Sequence, residues 1–452
     1  MEVFFVNNYK NDFKTFSVLT LGCKVNTYES DAIRRELAER GAGEVPFGEP
    51  SDIVIVNTCA VTAVADKKSR QMLHRARTAN PSAVVIATGC HAQELGQTLV
   101  DNGTCDIVVV NNLKNRIPEL AFSALDDIEK NGSLSFKERV FIEDISKNCD
   151  YEDLKITEMT EHTRAFIKVQ DGCNQFCAYC IIPYMRGRIR SRSKESVIEE
   201  VTGLAEKGCK EVVLTGIHLS SYGSETGNAT KLDGTALADL ILAVDAIDGI
   251  ERVRLGSLEP RVVTEDFAKK IAGAKKLCPH FHLSLQSGSD ATLKRMNRRY
   301  TAAEYREACD ILRKFFDRPS LNTDIIVGFP GETEEEFAES FEFVKSIGFS
   351  RVNVFRFSRR KGTAADRMKD QIPEPVKAAR SKAFIELDLA QAAEYRKQFE
   401  GETATVLTES IETVNGKEYR TGYSERYLKY LLPADTPENT LVKTEGTAVP
   451  LE

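Results

Sequence analysis

The chain has 452 residues, 42% hydrophobic and 29% charged, and a prior of about 150 residues per domain predicts two to four domains. The sequence has neither the roughly 18 consecutive apolar residues of a membrane helix nor a signal-peptide pattern, so we expect a cytoplasmic protein without a membrane partner. The net charge of −7 argues against bulk affinity for nucleic acid, whereas local clusters of basic residues argue for it.

The first domain is predicted over residues 14–120. Its apolar runs alternate with amphipathic stretches, which is typical of a parallel α/β sheet flanked by helices. Asn26 is the predicted N-cap of the first helix, Gly41 follows the end of that helix, and a second helix is predicted over 63–79. The polar, acid-rich residues 121–158 show weak periodicity and are expected to form a connector with one hairpin.

Three of the eleven cysteines, Cys23, Cys59 and Cys90, end the first three strands of this domain. Because ligands gather at the carboxyl ends of strands in open parallel sheets, we expect these cysteines to converge. In a reducing compartment cysteines indicate metal or redox chemistry before disulfides. Burial as small apolar side chains is the alternative, and the shared sheet edge weakens it.

A second series of strands and helices is predicted over 159–397. About six βα units indicate a partial parallel barrel, whose site lies at the carboxyl ends of its strands. Helices are expected over 194–207, 290–315 and roughly 374–398. The tail over 398–452 has strand patterns around an Asn415-Gly416 hairpin turn, which predicts a small antiparallel barrel.

The strongest local signal is the C-x3-C-x2-C motif of Cys173, Cys177 and Cys180, directly after the first strand of the second domain. Three thiolates on one loop can hold three irons of a 4Fe-4S cluster and leave the fourth iron open for a cofactor. The spacing alone also permits zinc, although no fourth Cys or His adjoins the motif to complete such a site.

This motif, with the aromatic Tyr179 before its last cysteine, resembles the radical S-adenosylmethionine (SAM) superfamily. The segments TGIHLSSYG, RLGSLEP, HLSLQSGSD, MNRRYT and TDIIVGFPGET are similar to its methylthiotransferase branch, as are TLGCKVN, NTCAVT and TGC near the amino terminus. Within the branch, the chain is most similar to the threonylcarbamoyladenosine tRNA methylthiotransferases. The resemblance covers nearly the whole chain, and the tail resembles a TRAM domain.

The resemblance implies two 4Fe-4S clusters and SAM as cofactors. Cys173, Cys177 and Cys180 would hold the radical-generating cluster, and Cys23, Cys59 and Cys90 would hold a second cluster that carries the sulfur. No catalytic residue is assigned beyond these ligands. The implied cofactor-binding residues lie at strand ends or on the cysteine loop: Tyr179, Thr215, Gly216, Ser257, Glu259, Gln286, Ser287, Gly328 and Glu332.

The activity implied by the resemblance is insertion of a methylthio group at C2 of N6-threonylcarbamoyladenosine next to the anticodon. It would require tRNA, an electron donor of the flavodoxin or ferredoxin type, and a sulfur source that the sequence does not identify. Alternatives within the family are isopentenyladenosine in tRNA or an aspartate of a ribosomal protein as the substrate. The alternative outside the enzymes is a non-catalytic RNA-binding protein whose fold is stabilised by a bound metal.

Basic residues in three clusters are the predicted RNA contacts, because an unstacked base enters a pocket while basic side chains hold the neighbouring phosphates. These residues are Arg186, Arg188, Arg190, Arg192, Arg298, Arg299, Arg359 and Arg360. A solvated face is the alternative for any single cluster. The tail over 398–452 is acidic, with ten acids and five bases, so it either binds RNA through a local face or docks on the core. That face would contain Arg420, Tyr423, Arg426, Tyr427 and Lys429.

The remaining cysteines and histidines receive ordinary structural roles. Cys105, Cys209, Cys278 and Cys309 are expected to pack in apolar surroundings, and Cys149 lies in the connector. His91 is expected at the surface or in a cap. His218 is expected to line the pocket of the second domain.

Overall fold

The computed structural model describes residues 13–147, 150–158, 163–225 and 232–451, so the prediction for Cys149 lies outside the described residues. The chain divides into two compact units, Met1–Asp144 and Ile145–Glu452. Within the described ranges, no helix combines the length and apolar character needed to cross a membrane.

The first unit is a parallel sheet with helices between its strands. In chain order its elements are β1 (Thr15–Thr20), α1 (Lys24–Glu39), β2 (Gly43–Glu44), β3 (Ile53–Thr58), α2 (Ala63–Ala79), β4 (Val84–Gly89), α3 (Cys90–Leu95), α4 (Gln97–Asp101), β5 (Ile107–Val109), α5 (Ile117–Asn131) and β6 (Val140–Phe141). The strand order is β2-β1-β3-β4-β5-β6, and each neighbouring pair is parallel. Strands β3 and β4 are buried throughout and form the centre of the core.

The predicted parallel sheet and α2 are confirmed, but two local predictions for this unit are wrong. The N-cap of α1 is Cys23, because the Asn26 side-chain amide instead donates to the carbonyls of Leu21 and Thr58. The predicted connector does not start at 121, since α5 continues to Asn131 and β6 joins the sheet as a parallel neighbour of β5.

The second unit begins with an open parallel barrel. Its elements are β7 (Arg164–Asp171), α6 (Ile182–Arg186), β8 (Arg190–Ser191), α7 (Lys194–Glu206), β9 (Glu211–Gly216), α8 (Thr235–Asp245), β10 (Arg252–Leu255), α9 (Glu265–Ile271), β11 (His280–His282), α10 (Asp290–Arg295), α11 (Ala302–Phe315), β12 (Ser320–Val327), α12 (Glu334–Ile347), β13 (Arg351–Arg356) and α13 (Glu374–Lys397). Two sheets, β10-β9-β7-β8 and β11-β12-β13, are joined by a parallel bridge between Leu258 and Leu283. The predicted six-unit partial barrel is therefore confirmed.

The single helix expected over 290–315 is two helices, α10 and α11. Asn297, between them, has a φ of +58°, which a right-handed helix does not permit. Thr301 then starts α11 with a capping box, in which Thr301 and Glu304 bind each other's backbone amides. Helical periodicity continues across this break, so the pattern alone did not reveal it.

The tail is a curled antiparallel sheet of β14 (Ala404–Val414), β15 (Lys417–Ser424), β16 (Lys429–Leu432) and β17 (Leu441–Thr444). Its order is β16-β15-β14-β17, and an antiparallel bridge from Lys429 to Val449 adds a further segment. Asn415 and Gly416 have φ values of +51° and +76°, which confirms the predicted hairpin turn. The predicted small C-terminal barrel is confirmed.

Arginines of the barrel donate hydrogen bonds to main-chain carbonyls of this tail. Arg252 donates to the carbonyls of Tyr423 and Thr405 over 2.8 and 2.7 Å, and Arg254 donates to those of Ser424 and Glu425. The rings of Tyr423 and Tyr427, which stack at 4.7 Å, lie under the Arg164 guanidinium. These contacts match the docking alternative for the tail, since both tyrosines face the barrel.

Glu211 balances the charge of these buried arginines. Its carboxylate lies 2.9 Å from Arg254 and 3.8 Å from Arg164. Burial alone would raise the pKa of the Glu211 carboxyl, but the two arginines outweigh burial and lower the pKa to about 2. A depressed folded-state pKa stabilises the fold above the unfolded-state pKa, and this contribution is lost as the pH falls from about 4.5 to about 2.

Glu211→Gln is therefore expected to lower the free energy of unfolding at pH 7 by about 3 kcal/mol, because it leaves buried guanidinium groups without their anion. Urea unfolding at pH 7, 4 and 3 measures this difference, which should shrink as the pH falls below about 4.5, because Glu211 then takes up a proton when the parent unfolds. Glu402→Gln is the control, since the exposed Glu402 pairs with Arg318 in solvent and its loss should change little. A difference independent of pH would contradict the ionic role of Glu211.

Candidate functional site

The three cysteines of the second unit lie on one loop after β7. Gly172 opens this loop with a φ of +70°, and a Cβ there would lie 1.8 Å from the Arg188 carbonyl oxygen. The Cys173 amide also donates to the Gly187 carbonyl over 3.0 Å. The loop is therefore packed against residues 187–188, and only glycine fits at its first turn.

The segment between α10 and α11 contacts the same loop. The Ala178 amide donates to the Met296 carbonyl over 2.9 Å. Arg298 Nη1 donates to Cys177 Sγ over 3.2 Å. This contact places a cation beside one of the three sulfurs of the motif.

Burial is the main influence on the pKa of the other two thiols of the loop. It raises the pKa of Cys173 to about 12 and raises the pKa of Cys180 as well, so both thiols are protonated in the absence of metal. A metal ion displaces such protons when it binds, because a coordinated thiol is deprotonated outright. Three cysteines on one loop, with one sulfur beside a guanidinium, fit a three-thiolate 4Fe-4S cluster.

Polar residues at the ends of neighbouring strands form a hydrogen-bonded series. The His218 amide donates to Gln170 Oε1 over 2.7 Å, and Gly216 leaves room for the Gln170 side chain. His218 Nε2 lies 2.8 Å from Glu259 Oε2. Burial would raise the pKa of Glu259, but His218 and Arg261 hold that pKa at about 2. The predicted pocket thus has an anionic group at this position.

The other residues predicted at strand ends differ in exposure. Thr215, Gln286 and Ser287 are buried, whereas Ser257 is exposed. Tyr179 is half-buried on the cysteine loop. These positions lie at the carboxyl ends of the barrel strands, where ligands bind in parallel barrels.

Gly328 and Glu332 form a closed turn after β12. The Gly328 amide donates to Glu332 Oε2 over 2.7 Å, and Arg380 Nη1 lies 2.6 Å from the same oxygen. Burial raises the pKa of Glu332, which is 4% exposed. Glu332 therefore closes the turn through the Gly328 amide and joins it to Arg380.

The three cysteines of the first unit follow three neighbouring strands. Thr58 pairs with Gly89, so Cys59 and Cys90 leave the sheet side by side. Cys23 follows β1, the neighbour of β3 on the other side, and caps α1. Cys59 and Cys90 are buried, whereas Cys23 is exposed. The chain changes direction across the sheet between β1 and β3, and open α/β sheets bind ligands at such switch points.

The turn before Cys23 lies directly against Cys59. A Cβ on Gly22 would approach Cys59 Sγ to 3.1 Å. Ser69 of α2 holds the Cys59 backbone by accepting from its amide and donating to its carbonyl over 3.0 and 2.8 Å. Three cysteines at one sheet edge, two of them shielded from water, fit a second three-thiolate cluster.

The expectation of a surface or capping His91 is wrong. His91 is 1% exposed, and its Nδ1 lies 2.7 Å from Asp66 Oδ1. Burial lowers the pKa of this imidazole. Among the described residues, Asp66, His91 and Glu94 form the one set of three acidic, His or Cys side chains whose ligand atoms lie within 4.8 Å. Because α3 begins at Cys90, its first turn directs His91 toward α2.

The arginines of the first basic cluster are mostly inside the fold. Arg186 and Arg190 lie 3.2 and 3.6 Å from Asp171, and Arg192 pairs with Glu200. All three are at most 3% exposed. Arg188 is half-buried, with its guanidinium over the Phe176 ring.

The other basic positions are divided between the site and the surface. Arg298 contacts Cys177, and Arg360 is buried. Arg299 and Arg359 are exposed, and Arg359 pairs with Asp366. The structure thus leaves Arg299 and Arg359 accessible to a phosphate and encloses Arg360.

Sequence reasoning missed the contact between Arg298 and Cys177 and the contact between Gln170 and His218. Arg298 lies 121 residues after Cys177, and no short-range pattern links the two. Gln170 carried a weak signal, because it is a polar residue at the end of an otherwise buried strand. Long-range packing of the barrel, rather than spacing, creates both contacts.

Two family models match the chain over the units described above. The model described as Radical SAM superfamily matches residues 167–344, and the model described as Uncharacterized protein family UPF0004 matches residues 15–110. Among solved structures, the radical SAM methyltransferase TsrM from Kitasatospora setae has a TM-score of 0.53 at 16% identity. The similar region covers 76% of this chain and 75% of TsrM, and the similarity concerns the fold alone.

Curated relatives are similar over most of their length. A Bacillus subtilis (strain 168) protein named threonylcarbamoyladenosine tRNA methylthiotransferase MtaB is 37% identical over 92% of this chain and 89% of that protein. An Acetivibrio thermocellus protein named tRNA-2-methylthio-N(6)-dimethylallyladenosine synthase is 34% identical over 91% of this chain and 85% of that protein. These findings contradict the non-catalytic alternative. The chain therefore belongs to the radical SAM methylthiotransferase family and is a tRNA-modifying enzyme.

Proposed function

We propose that this enzyme inserts a methylthio group at C2 of N6-threonylcarbamoyladenosine next to the anticodon of tRNA. The observation that carries the proposal is the presence of two separate cysteine triads, one after the strands β1, β3 and β4 and one on the loop after β7. Relatives named for this substrate, at 37% identity, support the choice of modified adenosine. A tRNA substrate also places the enzyme in the cytoplasm.

The chain's own residues would hold and orient the cofactors. Cys173, Cys177 and Cys180 would hold one cluster, and Cys23, Cys59 and Cys90 the other. When bound, the clusters and SAM supply the one-electron cleavage and the transferred sulfur, with electrons from a flavodoxin or ferredoxin type of donor. Arg298 would donate a hydrogen bond to the Cys177 sulfur, and the strand-end residues around Gln170 and Glu259 would bind the polar groups of SAM.

The threonylcarbamoyl group carries a carboxylate, which calls for a cation in the pocket, whereas an isopentenyl group calls for an apolar wall. Arg192 already pairs with Glu200 and Asp153. Arg190 pairs in register with Asp171, next to the cysteine loop, and is 3% exposed. Its Nε has no hydrogen-bond partner among the described residues. Asp171 is shared with Arg186, so we favour Arg190 over the doubly paired Arg192 as the partner for that carboxylate. Arg188, Arg299 and Arg359 would meet RNA phosphates.

Nucleoside mass spectrometry tests this function on tRNA incubated without oxygen with reconstituted enzyme, SAM and a reductant. A methylthio gain on threonylcarbamoyladenosine is the expected result, and tRNA lacking the threonylcarbamoyl group is the control. A gain on isopentenyladenosine alone would contradict the proposed substrate and keep the reaction. Intact SAM cleavage without a gain on any tRNA would instead indicate the ribosomal-protein alternative.

A further inference from the structure

Strand β5 contributes a side-chain amide to the sheet edge at which Cys23, Cys59 and Cys90 lie. Strand β5 pairs with β4 in parallel, and Asn111 follows β5 at the same carboxyl end as Cys90. Asn111 is fully buried, and its Nδ2 donates to Cys90 Sγ over 3.9 Å. The edge therefore holds a hydrogen-bond donor to a cysteine sulfur in addition to the cysteines.

Lys114 fixes which way the Asn111 amide points. Lys114 Nζ donates to Asn111 Oδ1 over 2.6 Å and lies 2.7 Å from Glu29 Oε2. An ammonium group has only donors, so it must face the amide oxygen. The NH2 group of Asn111 is consequently turned toward Cys90.

The ion pair behind Asn111 is costly to bury. The side chains of Lys114 and Glu29 are 0% and 1% exposed, and Ile33 and Ile117 nearby in sequence belong to the apolar core. Replacing a buried ion pair with apolar residues is often neutral or stabilising, so such a pair is weak support for stability alone. Its geometry favours a positioning role, because it connects α1, whose N-cap is Cys23, to the amide that contacts Cys90.

We propose that Asn111 tunes the reduction potential of the cluster held by Cys23, Cys59 and Cys90, with Lys114 and Glu29 as positioning residues. The proposal rests on the proposed function, which places a cluster there. A hydrogen bond to a ligand sulfur stabilises the reduced cluster, which carries the greater negative charge, and so raises the potential. Asn111 thus makes reduction of this cluster easier.

The test uses the full chain with the three substitutions Cys173→Ala, Cys177→Ala and Cys180→Ala, which remove the thiolates of the second unit. After reconstitution with iron and sulfide, the bound iron then belongs to the first unit alone. EPR-monitored redox titration then gives the midpoint potential. Asn111→Leu is expected to lower it, so that the reduced-to-oxidised ratio at the parent's midpoint falls by about fivefold. Lys114→Met, which keeps the amide but frees its orientation, is expected to give a smaller shift in the same direction.

Asn80→Leu is the matched control, because Asn80 is a buried amide at the opposite edge of the sheet, where it accepts from the Ser51 amide. It should leave the potential unchanged. An unchanged midpoint potential in Asn111→Leu would overturn the tuning role of Asn111. It would not contradict the presence of a cluster in the first unit. Loss of iron in Asn111→Leu and Lys114→Met, but not in Asn80→Leu, would overturn the tuning role in favour of a structural one. Absence of a cluster in the parent would overturn both proposals.

Discussion

Cys177→Ala is expected to abolish the formation of 5′-deoxyadenosine, whereas Cys59→Ala should leave SAM cleavage intact and abolish the methylthio nucleoside. The two triads are in different units, so each substitution removes a ligand from one site only. Loss of groups that merely support metal ligands costs 10–100-fold, so loss of a ligand should exceed about a hundredfold. Chromatography of 5′-deoxyadenosine and mass spectrometry of the nucleoside measure the two effects separately.

The chain offers a matched control for each unit. Cys105 and Cys309 are buried thiols outside both triads, and burial raises the pKa of each to about 12. Cys105→Ala and Cys309→Ala should therefore retain both products. Full methylthio product from Cys59→Ala would show that the first triad takes no part in sulfur transfer.

Gly172→Ala is expected to remove SAM cleavage without changing any sulfur ligand. Its Cβ would lie 1.8 Å from the Arg188 carbonyl oxygen, a distance that backbone atoms cannot accommodate without moving the cysteine loop. The change should reduce 5′-deoxyadenosine formation to background and release the iron bound by the second unit. Iron analysis and the cleavage assay measure both outcomes.

Gly348→Ala separates this steric effect from backbone strain. Gly348 has a φ of +71°, nearly that of Gly172, but nothing lies within 4 Å of its Cβ position. Both substitutions carry a left-handed backbone cost of about 1–2 kcal/mol. Only Gly172→Ala should lose the cleavage activity, and equal losses would mean that strain rather than contact with Arg188 is responsible.

Local chemistry made parts of the fold predictable from sequence. The bounds of α2 and the Asn415-Gly416 turn follow from periodicity and φ preference, which act over a few residues. The N-cap of α1 was missed because Asn26 binds the carbonyl of Thr58, 32 residues away. A capping pattern contains no information about such a competing partner.

The same limit explains the basic cluster after the cysteine loop. Its arginines have no acid within the local sequence, so they read as an exposed RNA-binding run. In the structure Asp171 and Glu200 contact Arg186 and Arg192, respectively, and both guanidinium groups are enclosed. The adjacency of Cys59 and Cys90 follows from parallel topology, which aligns strand ends, whereas charge neutralisation depends on packing between elements.

The arginines that hold the tail bind peptide oxygens, which every amino acid provides. Arg252 and Arg254 therefore recognise the course of the chain at residues 423–425 rather than the identity of its side chains. The attachment of the tail to the barrel therefore does not depend on most of the side chains on the tail's surface. The charge of its outward face can therefore change over evolution, or by design, without loss of the contacts that keep the tail on the barrel.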